Sequence, residues 1–412
     1  MKTEEKVFKK IDTYRDEIIL FQSELTKRVA LGPDNGGTGE HEKACYLKER
    51  FQDMNPDILF EIKAPDNRAH NGYRPNIIAG WGKNDSRPVV WILSHTDIVP
   101  PGDLSLWTGD PYKVRVDGDK ITGRGVEDNQ HGIVASTLAA KAVIESGLKH
   151  NNIGLIMAAD EETGSRYGLD YILKNNKELF KPDDLILVPD WGVPDGSMIE
   201  IAEKSMLWLK FTLKGRQCHA STPEQGKNTL FGVARLILEL EKLKEVYNFR
   251  DELFSPPYST FEPTKIEANV PNVNTIPGKD IFYMDCRVLP AYKLDEILKY
   301  IRNAADRVKE ELSLEITIEQ VNREDASAAT PVNAPVVTAL KRAIKKVKGV
   351  EASTKGIGGG TVAAFFRRAG LNAAVWSTCL DVAHQPDEYC RIPDIIDDIK
   401  VFASIFLDES IE

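Results

Sequence analysis

The chain has 412 residues, 42% apolar and 28% charged, with a net charge of −10. Single cores stop growing near roughly 250–300 residues, so two domains are expected. The negative balance excludes partners that need a basic face, such as nucleic acid or an anionic membrane, and no apolar run approaches the roughly 20 residues that cross a bilayer, so a small molecule or short peptide is the expected partner.

The opening MKTEEKVFKK mixes acids with bases and has no apolar h-region, so no signal peptide is expected and the cytoplasm is the expected compartment. Five scattered cysteines (Cys45, Cys218, Cys286, Cys379, Cys390) form no CxxC pair and read as reduced core residues. Apolar spacing predicts an amphipathic helix over 5–30, a glycine-rich break, and a second helix over 39–54. Short apolar runs follow at 77–79, 89–93, 153–158 and 185–188, with a helical stretch over 132–146 between them. That alternation predicts an α/β domain, a mostly parallel central sheet with helices on both faces.

Near residue 204 the pattern changes. Leu207, Leu209, Phe211 and Leu213 alternate with Trp208, Lys210 and Thr212, as in a half-exposed antiparallel strand. The elements then read strand 206–214, helix 229–247, strands 264–270 and 280–288, helix 294–312 and strand 314–322, the β-α-β-β-α-β order of a ferredoxin-like α+β insertion. Helix 334–348, a glycine turn, helix 361–369 and an apolar strand at 373–376 return to the first style. The expected partition is 1–203, 204–323 and 324–412.

Four acidic or histidine clusters follow predicted strands or lie just beyond them: SHTD (94–97), DEE (160–162), PDW (189–191) and AHQPDE (383–388). Ligands of open α/β sheets bind at the carboxyl ends of strands, so these clusters are expected to converge on one crevice. A fifth, GRGVEDNQHG (123–132), places Asp128 where a helix opens. His95, Asp128, Glu162, Asp190 and His384 supply two imidazoles and three carboxylates. One catalytic zinc takes three protein ligands plus water, so five ligands serve two metals if one carboxylate, Asp128, bridges them. Alone, His95 reads as a hydrogen-bonded core histidine, Asp190 as a turn residue and His384 as a loop residue. Asp97, two residues on from His95, shares its strand face and is placed to hold its second nitrogen. Glu161 and Glu162 would ordinarily be a solvated helix start; after an apolar strand, one can bind metal and the other hold a proton.

At these residues the chain resembles the co-catalytic zinc exopeptidases and deacylases that include glutamate carboxypeptidase, aminoacylase, acetylornithine deacetylase and succinyl-diaminopimelate desuccinylase. SHTDIVPPGD, GRGVEDN, DEETGS, CHASTPEQGKN, NTIPG, DCR, GGGT and AHQPDEY occur in the family's order. The resemblance implies one zinc on His95, Asp128 and Asp190 and another on Asp128, Glu162 and His384, with cobalt or manganese as substitutes. It implies Glu161 as general base and Asp97 as the group orienting His95. It also names the insertion a lid and homodimerisation domain, with His219 reaching a partner's site to hold the oxyanion.

Asn274 and Arg287 match residues that contact the polar end of the substrate. For Arg287 the competing reading is a salt bridge with Asp285, its neighbour on the same strand face. Gly358, Gly359, Gly360 and Thr361 read as a helix opening whose N–H groups could hold a carboxylate, or simply as a loop. Two positions depart from the family pattern. Asn129-Gln130-His131 follows Asp128 where many relatives have lysine-glycine, and His131 reads as a helix-face residue. Asp190 stands where several deacylases use glutamate.

The implied activity is that of a zinc metallopeptidase or amidohydrolase acting on C–N bonds, cleaving a small N-acyl amino acid or dipeptide with a free carboxylate. The rival is a non-catalytic peptide- or metal-binding module on the same fold, which would tend to lose Glu161 or Asp128 first; both are present.

Overall fold

A computed structural model describes residues 3–82 and 87–411. It divides into two compact units, residues 1–201, 329–354 and 362–412 in one and residues 202–328 and 355–361 in the other. The second unit thus takes in a short return segment, 355–361, that a partition into three contiguous stretches leaves with the last one.

The first unit is built on an eight-stranded sheet in the order Ile58–Pro65, Tyr73–Trp81, Asn152–Ala158, Val89–His95, Leu185–Gly192, Ala373–Ser377, Met198–Glu203, Ser353–Ile357. The four central strands, Asn152–Ala158 to Ala373–Ser377, run parallel, and Tyr73–Trp81 pairs antiparallel at one side. Parallel strands are covered on both faces, and this is why Asn152–Ala158 is buried at every position and reads as a continuous apolar run. On one face Trp91, Leu93, Ile156, Ile186 and Val375 pack with Leu169, Ile172 and Phe366. Helices Gln130–Ser146 and Ile392–Phe406 pack on each other, and the former lies against the central strands.

Some expected elements differ. The helix expected over 5–30 is two, Thr3–Ile11 and Arg15–Thr26, and the strand expected at 264–270 is Thr260–Ile266. The strand Ile58–Pro65 was not anticipated; its apolar run, Ile58-Leu59-Phe60, is short and is followed by Glu61 and Lys63, and only Ile62 and Ala64 are buried. Of the thiols, all free, Cys286 and Cys390 are buried as expected for core residues, whereas Cys45 is exposed. Among the described residues no helix is long and apolar enough to cross a membrane.

The second unit has a four-stranded antiparallel sheet in the order Thr260–Ile266, Lys279–Val288, Ser205–Lys214, Glu315–Glu324, with helices Thr229–Glu241 and Leu294–Leu312. This is the ferredoxin-like arrangement. Leu207, Leu209, Phe211 and Leu213 point into its core, where the Phe211 and Phe282 rings stack 4.5 Å apart.

Candidate active site

Three parallel strands deliver their chemistry at one edge. Val89–His95 ends on His95, Leu185–Gly192 carries Asp190 near its end, and Asn152–Ala158 runs into a short turn at Glu161–Thr163. The reason is geometric: parallel strands all point their carboxyl ends the same way, so residues just past them meet.

They do meet. His95 Nε2 lies 2.8 Å from one carboxylate oxygen of Asp128 and 3.3 Å from Asp190. The other Asp128 oxygen lies 3.1 Å from His384 Nε2, which is 3.2 Å from Glu162. Asp128 therefore faces one imidazole with each oxygen, the arrangement a bridging carboxylate needs. Donor atoms of His95, Asp128 and Glu162 lie within 4.8 Å of one another, as do those of His95, Glu161 and Asp190. The second trio puts Glu161 among potential ligands. A base that takes a proton from a water held by metal must also stand that close.

The neighbours that aim these groups are largely ones the sequence did not reveal. Asp97 accepts the backbone N–H groups of Glu161 and Glu162, both at 3.1 Å, and lies 3.4 Å from His95 Nδ1. Asn129 donates to Asp190 at 2.6 Å and to the Pro189 carbonyl at 2.7 Å. Buried Glu388 accepts from Arg124 and from the N–H groups of Gly125, Glu127 and Asp128, while Arg124 also donates to the His384 carbonyl. Glu388 was legible only as the last letter of AHQPDE. His131 is buried rather than displayed on a helix face: it bonds Asp398 at 2.8 Å, and although burial alone would lower its pKa, Asp398 and Glu127 push it up to about 10.

Electrostatics describe a site short of positive charge. Burial and the Asp128 charge push Glu162 up to about 7, and burial followed by Asp190 raises Glu161 well above the usual carboxylate range. Bonds to Asp128 and Glu162 push His384 up to about 10. Burial opposes the protonation of His95, yet Asp190, Asp128 and Asp97 outweigh it and raise its pKa. The cluster draws in protons because its carboxylates crowd one another, and divalent cations relieve that crowding more effectively. The residues fit such ions. Imidazole and carboxylate at ~2.0 Å from a tetrahedral zinc stand roughly 3.3 Å apart, close to the separations found here, and Glu162 Oε1 is buried with no hydrogen-bond partner.

The remaining expected residues lie in the second unit. His219 pairs with Thr275 in a two-stranded ribbon, and the Ala220 N–H donates to the Asn274 carbonyl, so His219 and Asn274 are neighbours. Ser221 N–H donates to His219 Nδ1 at 3.1 Å, which leaves Nε2 to carry the proton. Arg287 grips Asp285 with Nε at 2.8 Å and Nη2 at 3.0 Å, and donates from Nη1 to the Gly358 carbonyl at 2.9 Å. The salt bridge is therefore present. Thr361 donates to Glu203 at 2.7 Å. The helix after the glycines starts only at Ala363 and has six residues, so Gly359, Gly360 and Thr361 precede it and do not supply its first-turn N–H groups.

Comparison with known proteins identifies the family. Residues 91–408 match the model of Peptidase family M20/M25/M40. An uncharacterized metallohydrolase of Methanocaldococcus jannaschii is 40% identical over 412 residues, covering 95% of this chain and 98% of the relative. A succinyl-diaminopimelate desuccinylase of Cereibacter sphaeroides is 26% identical over 381 residues, covering 92% and 94%. The structure of human carnosine dipeptidase 1 superposes with a TM-score of 0.76 at 19% identity, covering 99% and 98%, which speaks to the fold. The chain belongs to Peptidase family M20/M25/M40 and is a metal-dependent hydrolase.

Proposed function

We propose that the chain hydrolyses the amide bond of a small N-acyl amino acid or dipeptide bearing a free carboxylate, using two zinc ions. The observation that carries this reading is Asp128, whose two oxygens face His95 and His384 separately. His95, Asp128 and Asp190 would hold one ion and Asp128, Glu162 and His384 the other. When bound, the ions supply a polarised scissile carbonyl and a more acidic water.

The chain's own residues do the rest. Glu161 accepts a proton from the attacking water and later delivers it to the leaving amine nitrogen. Its burial favours the protonated form, so it holds the proton between those two events. Asp97 fixes the His95 ring and, through two backbone bonds, the turn that carries Glu161. His219, with Nε2 protonated, donates to the developing oxyanion; we assign this to a partner subunit's site in a homodimer. Exposed Leu230, Phe231 and Leu238 on the helix Thr229–Glu241 support a pairing surface in that unit. Arg287 binds the substrate carboxylate, with Asn274 and the loop Gly359, Gly360 and Thr361 alongside. Five free thiols are in keeping with a cytoplasmic location.

A panel of N-acyl amino acids and dipeptides, each with its C-terminally amidated counterpart, assayed with zinc, cobalt or manganese, tests the assignment. Turnover is expected for free carboxylates and to fall on amidation. Equal turnover of both forms would overturn the carboxylate requirement, and binding without turnover would favour the non-catalytic module.

A further inference from the structure

The turn that carries Glu161 and Glu162 begins at Asp160, a non-glycine residue in the left-handed region at φ 63°. A left-handed residue at this point reverses the chain, so that two adjacent glutamates enter different donor groups: Glu161 with His95 and Asp190, Glu162 with His95 and Asp128. Something must hold that conformation. Asp160 accepts from the Thr163 hydroxyl and, at 2.9 Å, from the Tyr167 N–H. Behind it lies Arg74, fully buried, whose Nη1 donates to Asp160 at 3.2 Å. The rest of its guanidinium grips Glu40, also fully buried, with Nε at 2.7 Å from one oxygen, and Glu40 in turn accepts the Asp160 N–H at 3.3 Å.

Arg74 does not act alone on this segment. Asn76, two residues on and therefore on the same face of the strand Tyr73–Trp81, accepts the Ala159 N–H at 2.9 Å and donates to the Tyr167 carbonyl at 2.9 Å. Side chains from one strand thus hold the chain on either side of the glutamate pair. An ion cluster this deeply buried is a weak source of stability, because desolvation offsets most of the attraction. Its location offers another use: Arg74 donates to both Glu40 and Asp160, so it ties the turn to the start of the helix His41–Gln52.

We propose that Arg74, acting with Glu40, is a positioning residue of the hydrolytic site: the clamp sets the turn at Asp160 and hence the divergence of Glu161 and Glu162. This rests on the two-metal reading above. Neither residue touches a metal donor directly, so the prediction concerns aim and not ligation. A planar guanidinium reaches two carboxylates at fixed angles, which the single ammonium of lysine does not reproduce.

The test uses the full chain stripped of metal and titrated with cobalt, followed by visible absorption and calorimetry beside steady-state kinetics. Arg74→Lys is the graded variant. The double variant Arg74→Met/Glu40→Gln removes the clamp's charges together while leaving an acceptor for the Asp160 N–H, so that loss of fold and loss of aim separate. The double variant is expected to melt within a few degrees of wild type, to bind its weaker cobalt roughly 10–100-fold less tightly with an altered absorption band, and to lose kcat by a similar factor with KM nearly unchanged. Arg74→Lys should fall between. Folded variants with wild-type cobalt affinities, spectrum and kcat would overturn the clamp, as would a rise in KM alone; if the double variant does not fold, Arg74→Lys decides by the same readouts. Wild-type protein that takes up a single cobalt defeats the two-metal reading itself, and the clamp falls with it.

Discussion

The two units handle burial in opposite ways. In the first, both faces of the central strands are covered, so the polar chemistry sits at strand ends, and His95, Asp97 and Glu388 are all buried there. In the second, Ser205–Lys214 and Lys279–Val288 bury alternate residues only, and Tyr283, Asp285 and Arg287 share the face that is not in the core. A sheet covered on both sides can build a dry, charge-rich pocket at its edge, where electrostatics are strong. A sheet covered on one side offers an open face for groups that meet a substrate or a partner.

The largest expected effect lies at the strand-end site. Glu161→Gln should keep its metal and lose kcat by roughly 10²–10⁴-fold, because the amide cannot accept a proton. Glu162→Gln should instead lose metal, read by elemental analysis; the reverse pattern would show that base and ligand are interchanged. Next comes the core of the open-faced unit. Phe211→Ala removes a ring stacked on Phe282 and should cost about 3–5 kcal/mol in denaturant unfolding, with metal content of the folded protein unchanged. Loss of metal alongside would mean that the two units do not separate stability from chemistry in this way.

His219→Ala should lower kcat by roughly 10²-fold, the typical value of one oxyanion donor. Mixing it with Glu161→Gln subunits should then recover activity through mixed dimers, whereas verified subunit exchange without recovery would place the site within one chain. The smallest effect belongs to Arg287. It already holds Asp285, so Arg287→Lys should raise KM about tenfold for substrates with a free carboxylate and leave amidated ones little changed. Equal losses on both would make Arg287 a structural partner of Asp285 and Gly358.

The contrast also explains what the sequence discloses. Strand-end clusters such as SHTD and DEE were readable because position past a parallel strand fixes where a side chain goes. The alternation from Leu207 to Leu213 announced the second unit for the same kind of reason, a short-range period. Partners that act across the fold were not readable. Arg74 looks like any strand arginine until Glu40 and Asp160 are seen around it, and Asn129 like any helix-start asparagine until Asp190 is. The break between Ile11 and Arg15 carries no glycine or proline, so the periodicity ran through it.

Glu388 has a consequence in time. It accepts the Asp128 N–H across 260 residues of chain, and the loop it closes carries His384. During synthesis the strands that lead to His95, Glu161 and Asp190 emerge before that segment does, and at roughly 5–20 residues per second the 260 residues between Asp128 and Glu388 take on the order of ten seconds or more. Until residues 384–388 leave the ribosome, the carboxylates of the nascent site lack both this brace and their second imidazole. A chain built in this order cannot complete its candidate hydrolytic site before residues 384–388 have emerged, whatever the earlier strands have already formed.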